Sequence, residues 1–409
     1  MRINNAGHYE YCRWADKSQR GAEPNIVDVA PLQYFKHHVS DIRQQLINGQ
    51  RPSGCAECAV MEQHGKISGR QRQLLKIGVR LEHFDKSLAS SPWVPIFTAE
   101  HCDQTPQDWQ IDLGNYCNSA CVFCSPHSSS RLAQEWQRIG IIDQLPKPSW
   151  ADDPVMVDRL IAALTECKHI QYLHFIGGET VITPAFKVIL QRLIDHKLNV
   201  NATIGFTTNL TVWDQTVVDL LTQFRGVNLG VSVESLDAVN DYVRWPSKID
   251  QVQRTLDRWL DLAKQHNWLV QLRITPTIFT ISKLLSVYDF AWQNQLAIES
   301  CNFLQEPAFM RPSVLPVQYR QPVINSMQRW IDQRGISAAP VVNTRDPTVA
   351  ILHNVQDLQS YVTYLADMPD ESFRMPELVQ FIKRLEGSRG NCVLDYLPDY
   401  DELFRSAGY

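Results

Sequence analysis

The chain has 409 residues, 44% hydrophobic and 20% charged, with a formal net charge of −5. That length supports two or three domains, the composition excludes the disordered class, and the slight acid excess argues against a nucleic-acid-binding surface. The opening stretch MRINNAGHYEYCRWADK lacks an apolar segment of signal-peptide type, and no apolar run approaches the roughly 20 residues a spanning helix needs. Ten cysteines in such a chain point to the reducing cytoplasm, where grouped cysteines serve more often as metal ligands than as disulfides.

Residues 1–105 read as an irregular N-terminal region. It has one helix from about Pro31 to Asn48, where LQYFKHHVSDIRQQL spaces its apolar residues helically, and a turn at RPSGCAEC. Over 106–304 short apolar runs alternate with longer amphipathic ones. WQIDLG, IQYLHFIGG, VNATIGFTTN, VNLGVSVES, LVQLRITPTIF and IESCNFL read as buried strands. SSSRLAQEWQRIG, PAFKVILQRLIDHK, WDQTVVDLLTQF, QVQRTLDRWLDLAKQH and LLSVYDFAWQNQ read as the helices between them. Such alternation predicts a parallel sheet. These strands are too few for an eightfold barrel, so the expected fold is α/β: a partial (β/α)6 barrel of the TIM type or an open sheet, with chemistry at the C-terminal strand ends. Residues 305–409 read as mostly helical, broken at EPAFMRPSVLP and RMPELV.

Directly after the first of these strands, NYCNSACVFC sets Cys117, Cys121 and Cys124 in a C-x3-C-x2-C pattern. Structural zinc sites usually close with four ligands in two pairs, so a zinc site here would need completion, for instance by His127. A [4Fe–4S] cube wants a terminal ligand on each iron; three cysteines hold three corners and leave the fourth open to a ligand that is not protein. Phe123 extends the pattern to C-x3-C-x-aromatic-C. The next strand ends in HFIGGET, where Gly177 and Gly178 admit a ligand close to backbone and Glu179 offers a carboxylate to an ammonium group. In these two motifs the chain resembles the radical S-adenosylmethionine (SAM) superfamily.

The resemblance implies that the amino and carboxylate groups of SAM chelate the open iron, that the reduced cluster passes one electron to the sulfonium, and that the resulting 5′-deoxyadenosyl radical takes a hydrogen atom from substrate, the cofactor supplying the hard chemistry. It places the cluster on Cys117, Cys121 and Cys124, the methionyl amino end against Gly177, Gly178 and Glu179, and the adenine near Phe123. Position at strand ends adds Asn209 in FTTN, Ser232 and Glu234 in VSVES, and Arg244 in NDYVRWPS as SAM contacts, the arginine toward the methionyl carboxylate or the ribose. The plain alternatives are turn residues for FTTN and a surface side chain for Arg244.

A second cysteine group comprises Cys12 in YEYCRWADK and the pair Cys55 and Cys58 in GCAEC. The run INGQRPSGCAECAVMEQHGKISGRQRQ, with Glu62, Gly65, Ser68 and Arg70, is similar to a segment of radical SAM proteins that carry SPASM or twitch domains, and PHSSSRLAQEW and EPAFMRPSVLP agree with it. This implies an auxiliary iron–sulfur cluster on Cys12, Cys55 and Cys58, with Cys102 as fourth ligand or the site open to substrate; a zinc site and unliganded thiols are the alternatives. Cys167 is expected in the core, Cys301 as a hydrogen-atom donor or plainly buried, and Cys392 as donor or ligand. The resemblance further implies a peptide substrate, with maturation of a ribosomally synthesised peptide by crosslinking, epimerisation or backbone excision. It also implies a separate leader-peptide recognition protein acting by strand addition and an external electron donor of the flavodoxin or ferredoxin type. The near-neutral charge suits a peptide better than RNA. A small metabolite, a sugar or a tRNA base is the alternative substrate, and a non-catalytic iron–sulfur or zinc protein the remaining reading.

Overall fold

The computed structural model describes residues 1–12, 24–48, 50–56, 58–59, 68–70, 105–167, 169–301, 303–334 and 347–409. All six expected strands form where the apolar runs lie: β3 (Asp108–Asp112), β4 (Tyr172–Ile176), β5 (Thr203–Thr208), β6 (Gly226–Ser232), β7 (Leu269–Ile274) and β8 (Ala297–Cys301). They pair in sequence order, each parallel to the next. Two short strands in the region read as irregular, β1 (Arg2–Ile3) and β2 (Tyr9–Glu10), extend the sheet to the order β2-β1-β3-β4-β5-β6-β7-β8. β1 runs parallel to β3 and antiparallel to β2. They lengthen the sheet at the edge beside β3.

The crossovers carry the helices. After α1 (Ser40–Ile47) come α2 (Ser130–Arg138), α3 (Pro154–Thr165), α4 (Pro184–Asp195), α5 (Gln215–Leu221), α6 (Val239–Val243), α7 (Ile249–His266) and α8 (Leu284–Gln293). The expected helix at 31–48 is a composite. A turn over Pro31–Gln33 widens into a π-helical stretch at Tyr34–His38 before α1, and Tyr34 stacks on Tyr9 at 4.6 Å and on His38 at 5.6 Å. Helix starts follow local chemistry: the Ser129, Asp153 and Asp214 side chains accept from first-turn amides of α2, α3 and α5, and Pro154 and Pro184 open α3 and α4 where no amide partner is lost.

The sheet divides by parity. Trp109, Ile111, Leu173, Phe175, Ile204, Phe206, Leu229, Val231 and Leu272 are buried in the core, and Phe175, Phe186, Phe206 and Trp259 form a chain of ring contacts at 5.2–5.9 Å between strands, α4 and α7. The alternate positions are mostly polar: Gln110 and Asp112 on β3, Tyr172 and His174 on β4, Thr207 on β5, Asn228 and Ser232 on β6, Gln271 and Arg273 on β7. This is the partial (β/α)6 arrangement expected, with one apolar face under helices and one polar face left for chemistry.

Beyond β8 lie α9 (Val317–Asp332), α10 (Pro347–Asp367), α11 (Met375–Arg389) and α12 (Asp401–Ser406). α10 closes the free edge of β8. The buried Asn354 accepts from the Ile298 amide at 2.7 Å and donates to the Leu296 carbonyl at 2.8 Å, so one amide side chain does the work of a neighbouring strand. Among the described residues no helix is long and apolar enough to cross a membrane.

Candidate functional site

The loop between β3 and α2 carries Cys117, Cys121 and Cys124, and Val243, Trp245, Ser129 and Ser130 hold its backbone. The amides of Ala120 and Val122 donate to the carbonyls of Trp245 and Val243 at 2.7 and 2.8 Å. The Cys117 amide donates to Ser130 Oγ at 3.2 Å. Ser129, already the cap of α2, donates its hydroxyl to the Ser119 carbonyl at 2.6 Å. Helix, loop and the 243–245 segment therefore share one bonding network.

The thiols are close enough to act on one another. Burial, then the neighbouring Cys121, pushes Cys117 up to about 12, and the same two causes in the same order push Cys124 up to about 12. Cys121 is also raised by burial, against the nearby Arg244 guanidinium. Among the described residues no three His, Cys, Asp or Glu side chains close on a single-ion site, and His127, the candidate fourth zinc ligand, is exposed.

The GGE segment docks on this loop through backbone. The Gly178 amide donates to the Gly114 carbonyl at 2.7 Å and the Glu179 amide to the Tyr116 carbonyl at 2.8 Å. Gly177 has φ +132, and a Cβ at Gly178 would collide with the Tyr116 carbonyl, so both glycines are required by the close approach of two chains. The buried Glu179 carboxylate accepts from the amides of Asn209 at 2.6 Å and Val181 at 3.3 Å. Burial nevertheless lifts its pKa to about 7. Asn209 returns its side-chain amide to Asn118 and Ser119 of the cysteine loop, at 3.0 Å each.

Glu234 and Arg244 form a buried pair at 2.5 Å. The guanidinium also lies 3.8 Å from Cys121 Sγ and 5.5 Å from the Phe123 ring centre. Glu234 accepts from the Thr275 amide at 2.7 Å. Arg244 is thus not a surface side chain; its charge is committed to Glu234 and to the cysteine loop. Ser232 is half-buried at the end of β6, opposite Arg273 in register.

The structure brings Phe123, Gly177, Gly178, Glu179, Asn209, Glu234 and Arg244 around the three cysteines. Several further residues escaped the sequence reading. On the polar face Arg273 donates to Glu299 and Thr207 at 2.6 Å each and lies 3.4 Å from His174 Nε2. Asp112, at the end of β3, is pushed up to about 6, chiefly by burial. The polar parity of the predicted strands was the signal that could have found them.

Cys12, Cys55 and Cys58 of the second group all lie within the described residues, where no three such side chains close on a metal site. Burial first, then Cys12 and Cys58, push Cys55 up to about 12, with Arg70 and Arg51 opposing. Cys102 and the side chain of Cys301 lie outside the described residues, as do Glu62 and Gly65. Cys167 is buried with its thiol on the Ala163 carbonyl at 3.2 Å, the core role expected. Cys392 sits 3.2 Å from the Tyr409 hydroxyl.

Residues 111–276 match the family model described as the radical SAM superfamily. No curated protein matches the chain. Among solved structures it is similar to Streptococcus suis SuiB bound to S-adenosylmethionine, at 15% identity and TM-score 0.34 over 65% of this chain and 58% of that one. It is similar also to native anSMEcpe with bound AdoMet, at 15% identity and TM-score 0.40 over 56% of this chain and 62% of that one. The chain thus spans less than two thirds of the length of either. Residues 111–276 are thus assigned as a radical SAM domain by that family model.

Proposed function

We propose that the chain is a radical SAM enzyme that holds a [4Fe–4S] cluster on Cys117, Cys121 and Cys124, binds SAM against Gly177, Gly178 and Glu179, and modifies a peptide. The residues fit both groups. Three thiols on one short loop, with Cys121 acting on both Cys117 and Cys124, make a donor set for three corners of a cubane. Beside them Thr180 Oγ1 and Arg244 Nε are buried polar atoms without a partner, which a polar ligand would satisfy. When bound and reduced, the cluster supplies the electron that splits the sulfonium to a 5′-deoxyadenosyl radical.

The chain's own part is placement. Asn209 and the Gly178 and Glu179 amides lock the cysteine loop to the GGE segment, fixing where a ligand between them must lie. Arg244 holds positive charge against Cys121. The single observation that carries the reading is this juxtaposition of three thiols on one loop with a glycine pair bonded directly to that loop. A peptide is supported by the polar sheet face, rich in amide and hydroxyl groups suited to backbone, and by the SPASM-like run around Cys55 and Cys58. An auxiliary cluster on Cys12, Cys55 and Cys58, a separate leader-recognition protein and a flavodoxin- or ferredoxin-type donor complete the proposal.

The test is anaerobic reconstitution, reduction and addition of SAM, followed by mass spectrometry for 5′-deoxyadenosine. Wild type is expected to form it; the triple variant Cys117→Ala, Cys121→Ala, Cys124→Ala is not. No 5′-deoxyadenosine from iron-loaded wild type would end the proposal. Co-expression with candidate precursor peptides, read as a mass change in the peptide, tests the substrate class.

A further inference from the structure

Resting on the radical SAM reading above, we propose that Arg389, at the end of α11, is a positioning residue that sets the geometry and the electron affinity of the cysteine-loop site from the far end of the chain. Arg389 and Glu135 are buried, with side-chain exposures of 1% and 2%. Their contact is two-pronged: Arg389 Nε donates to Glu135 Oε1 at 2.9 Å and Nη2 to Oε2 at 2.6 Å. The same Nη2 donates to the Ala120 carbonyl at 2.7 Å. Ala120 directly precedes Cys121, and its amide is already held by the Trp245 carbonyl. The peptide leading into the second cysteine is therefore gripped on both sides. The guanidinium carbon lies 5.1 Å from the Trp245 ring centre, and Ser388 adds a bond to Glu135 at 3.1 Å.

A buried ion pair is a poor way to gain stability, because desolvation offsets much of the attraction. This one has a direction. Its cationic end touches the cysteine loop, while its anionic end belongs to α2. Arg389 Nη1 is buried with no partner, a donor left over after the loop and Glu135 are served. A cationic group at that position favours whichever state of the site carries more negative charge, which for a cluster is the reduced one.

The experiment compares reconstituted wild type with Arg389→Met/Glu135→Gln, which removes both charges at similar volume, by midpoint potential in an EPR-monitored redox titration, with iron content and circular dichroism in parallel. The double variant is expected to keep its iron and fold but to be about tenfold harder to reduce, ~59 mV for a one-electron couple. Glu135→Gln alone, which leaves the guanidinium uncompensated, is expected to move the potential the opposite way, and it decides the matter should the double variant fail to fold. A potential and EPR line shape equal to wild type in whichever variant folds overturns the inference. Wild type that takes up iron yet forms no 5′-deoxyadenosine breaks the functional reading while the potentials still judge Arg389; wild type that takes up no iron sinks both.

Discussion

At the scale of single residues, two buried carboxylates carry opposite consequences of the same physics. Glu179 is lifted to about 7 because burial outweighs the amides that stabilise its charge. Pairing with an ammonium requires the ionised form, so docking below that pKa must first expel a proton. SAM affinity is expected to rise between about pH 6 and 8, and Glu179→Gln, which can still accept the Asn209 amide, is expected to lose 10- to 100-fold at the upper end with iron content unchanged. The ligand's own amino group titrates in both proteins, so the difference between their pH profiles isolates Glu179; parallel profiles would remove it from the SAM site. Asp112 bears on stability instead. Its carboxyl, ordinarily near 3.8, is raised to about 6, first by burial and against the Gly114 amide. A raised acid stabilises the fold below its unfolded pKa, and that contribution is lost as pH climbs through the folded one. Asp112→Asn is expected to stabilise the metal-free protein by about 2 kcal/mol at pH 8, after a discount for partial exposure, and by almost nothing near pH 4. Urea unfolding at the two pH values reads the difference.

At the scale of elements, the sheet's free edge makes a sharp test. Asn354 satisfies the Ile298 amide of β8 and the Leu296 carbonyl just before it from a neighbouring helix. Asn354→Leu keeps the volume but strands both groups away from water, at an expected cost of about 2–4 kcal/mol in chemical unfolding; a loss below about 0.5 kcal/mol would show that α10 does not seal the edge. The six long strands and most helices between them were legible because each is long enough to display a period. β1 and β2 are two residues each, too short for any alternation to register; they exist because β3 offers an edge, where the Met1 amino group and carbonyl bond to Asp108 and Gln110 at 2.9 Å each. α6 is likewise one short turn, formed where the chain folds back to lay Val243 and Trp245 against the cysteine loop. In the site the contiguous motifs were readable, cysteines and glycines alike. The Arg389–Glu135 clamp joins positions 254 residues apart, and no local pattern encodes such a contact.

At the scale of the whole molecule, two cysteine groups, separate in sequence, are proposed to hold two clusters. Cys117, Cys121 and Cys124 share one loop, which makes their convergence nearly automatic. Cys12 must be brought to Cys55 and Cys58 by the fold, and Cys12 and Cys58 each add to the rise of the Cys55 thiol. Two independent sites predict additive iron. Wild type is expected to bind about eight irons per chain after anaerobic reconstitution, four per cubane. The Cys117→Ala, Cys121→Ala, Cys124→Ala variant is expected to keep about half and to lose 5′-deoxyadenosine formation. The Cys12→Ala, Cys55→Ala, Cys58→Ala variant is expected to keep the other half and still cleave SAM, because the bonds described above for the cysteine loop run to Val243, Trp245, Ser129, Ser130 and Asn209 instead. Four irons in wild type would remove the second cluster and leave the N-terminal thiols a different role. Iron loss in Cys102→Ser would identify the fourth ligand, whereas full iron content there would leave that cluster with an open corner available to substrate.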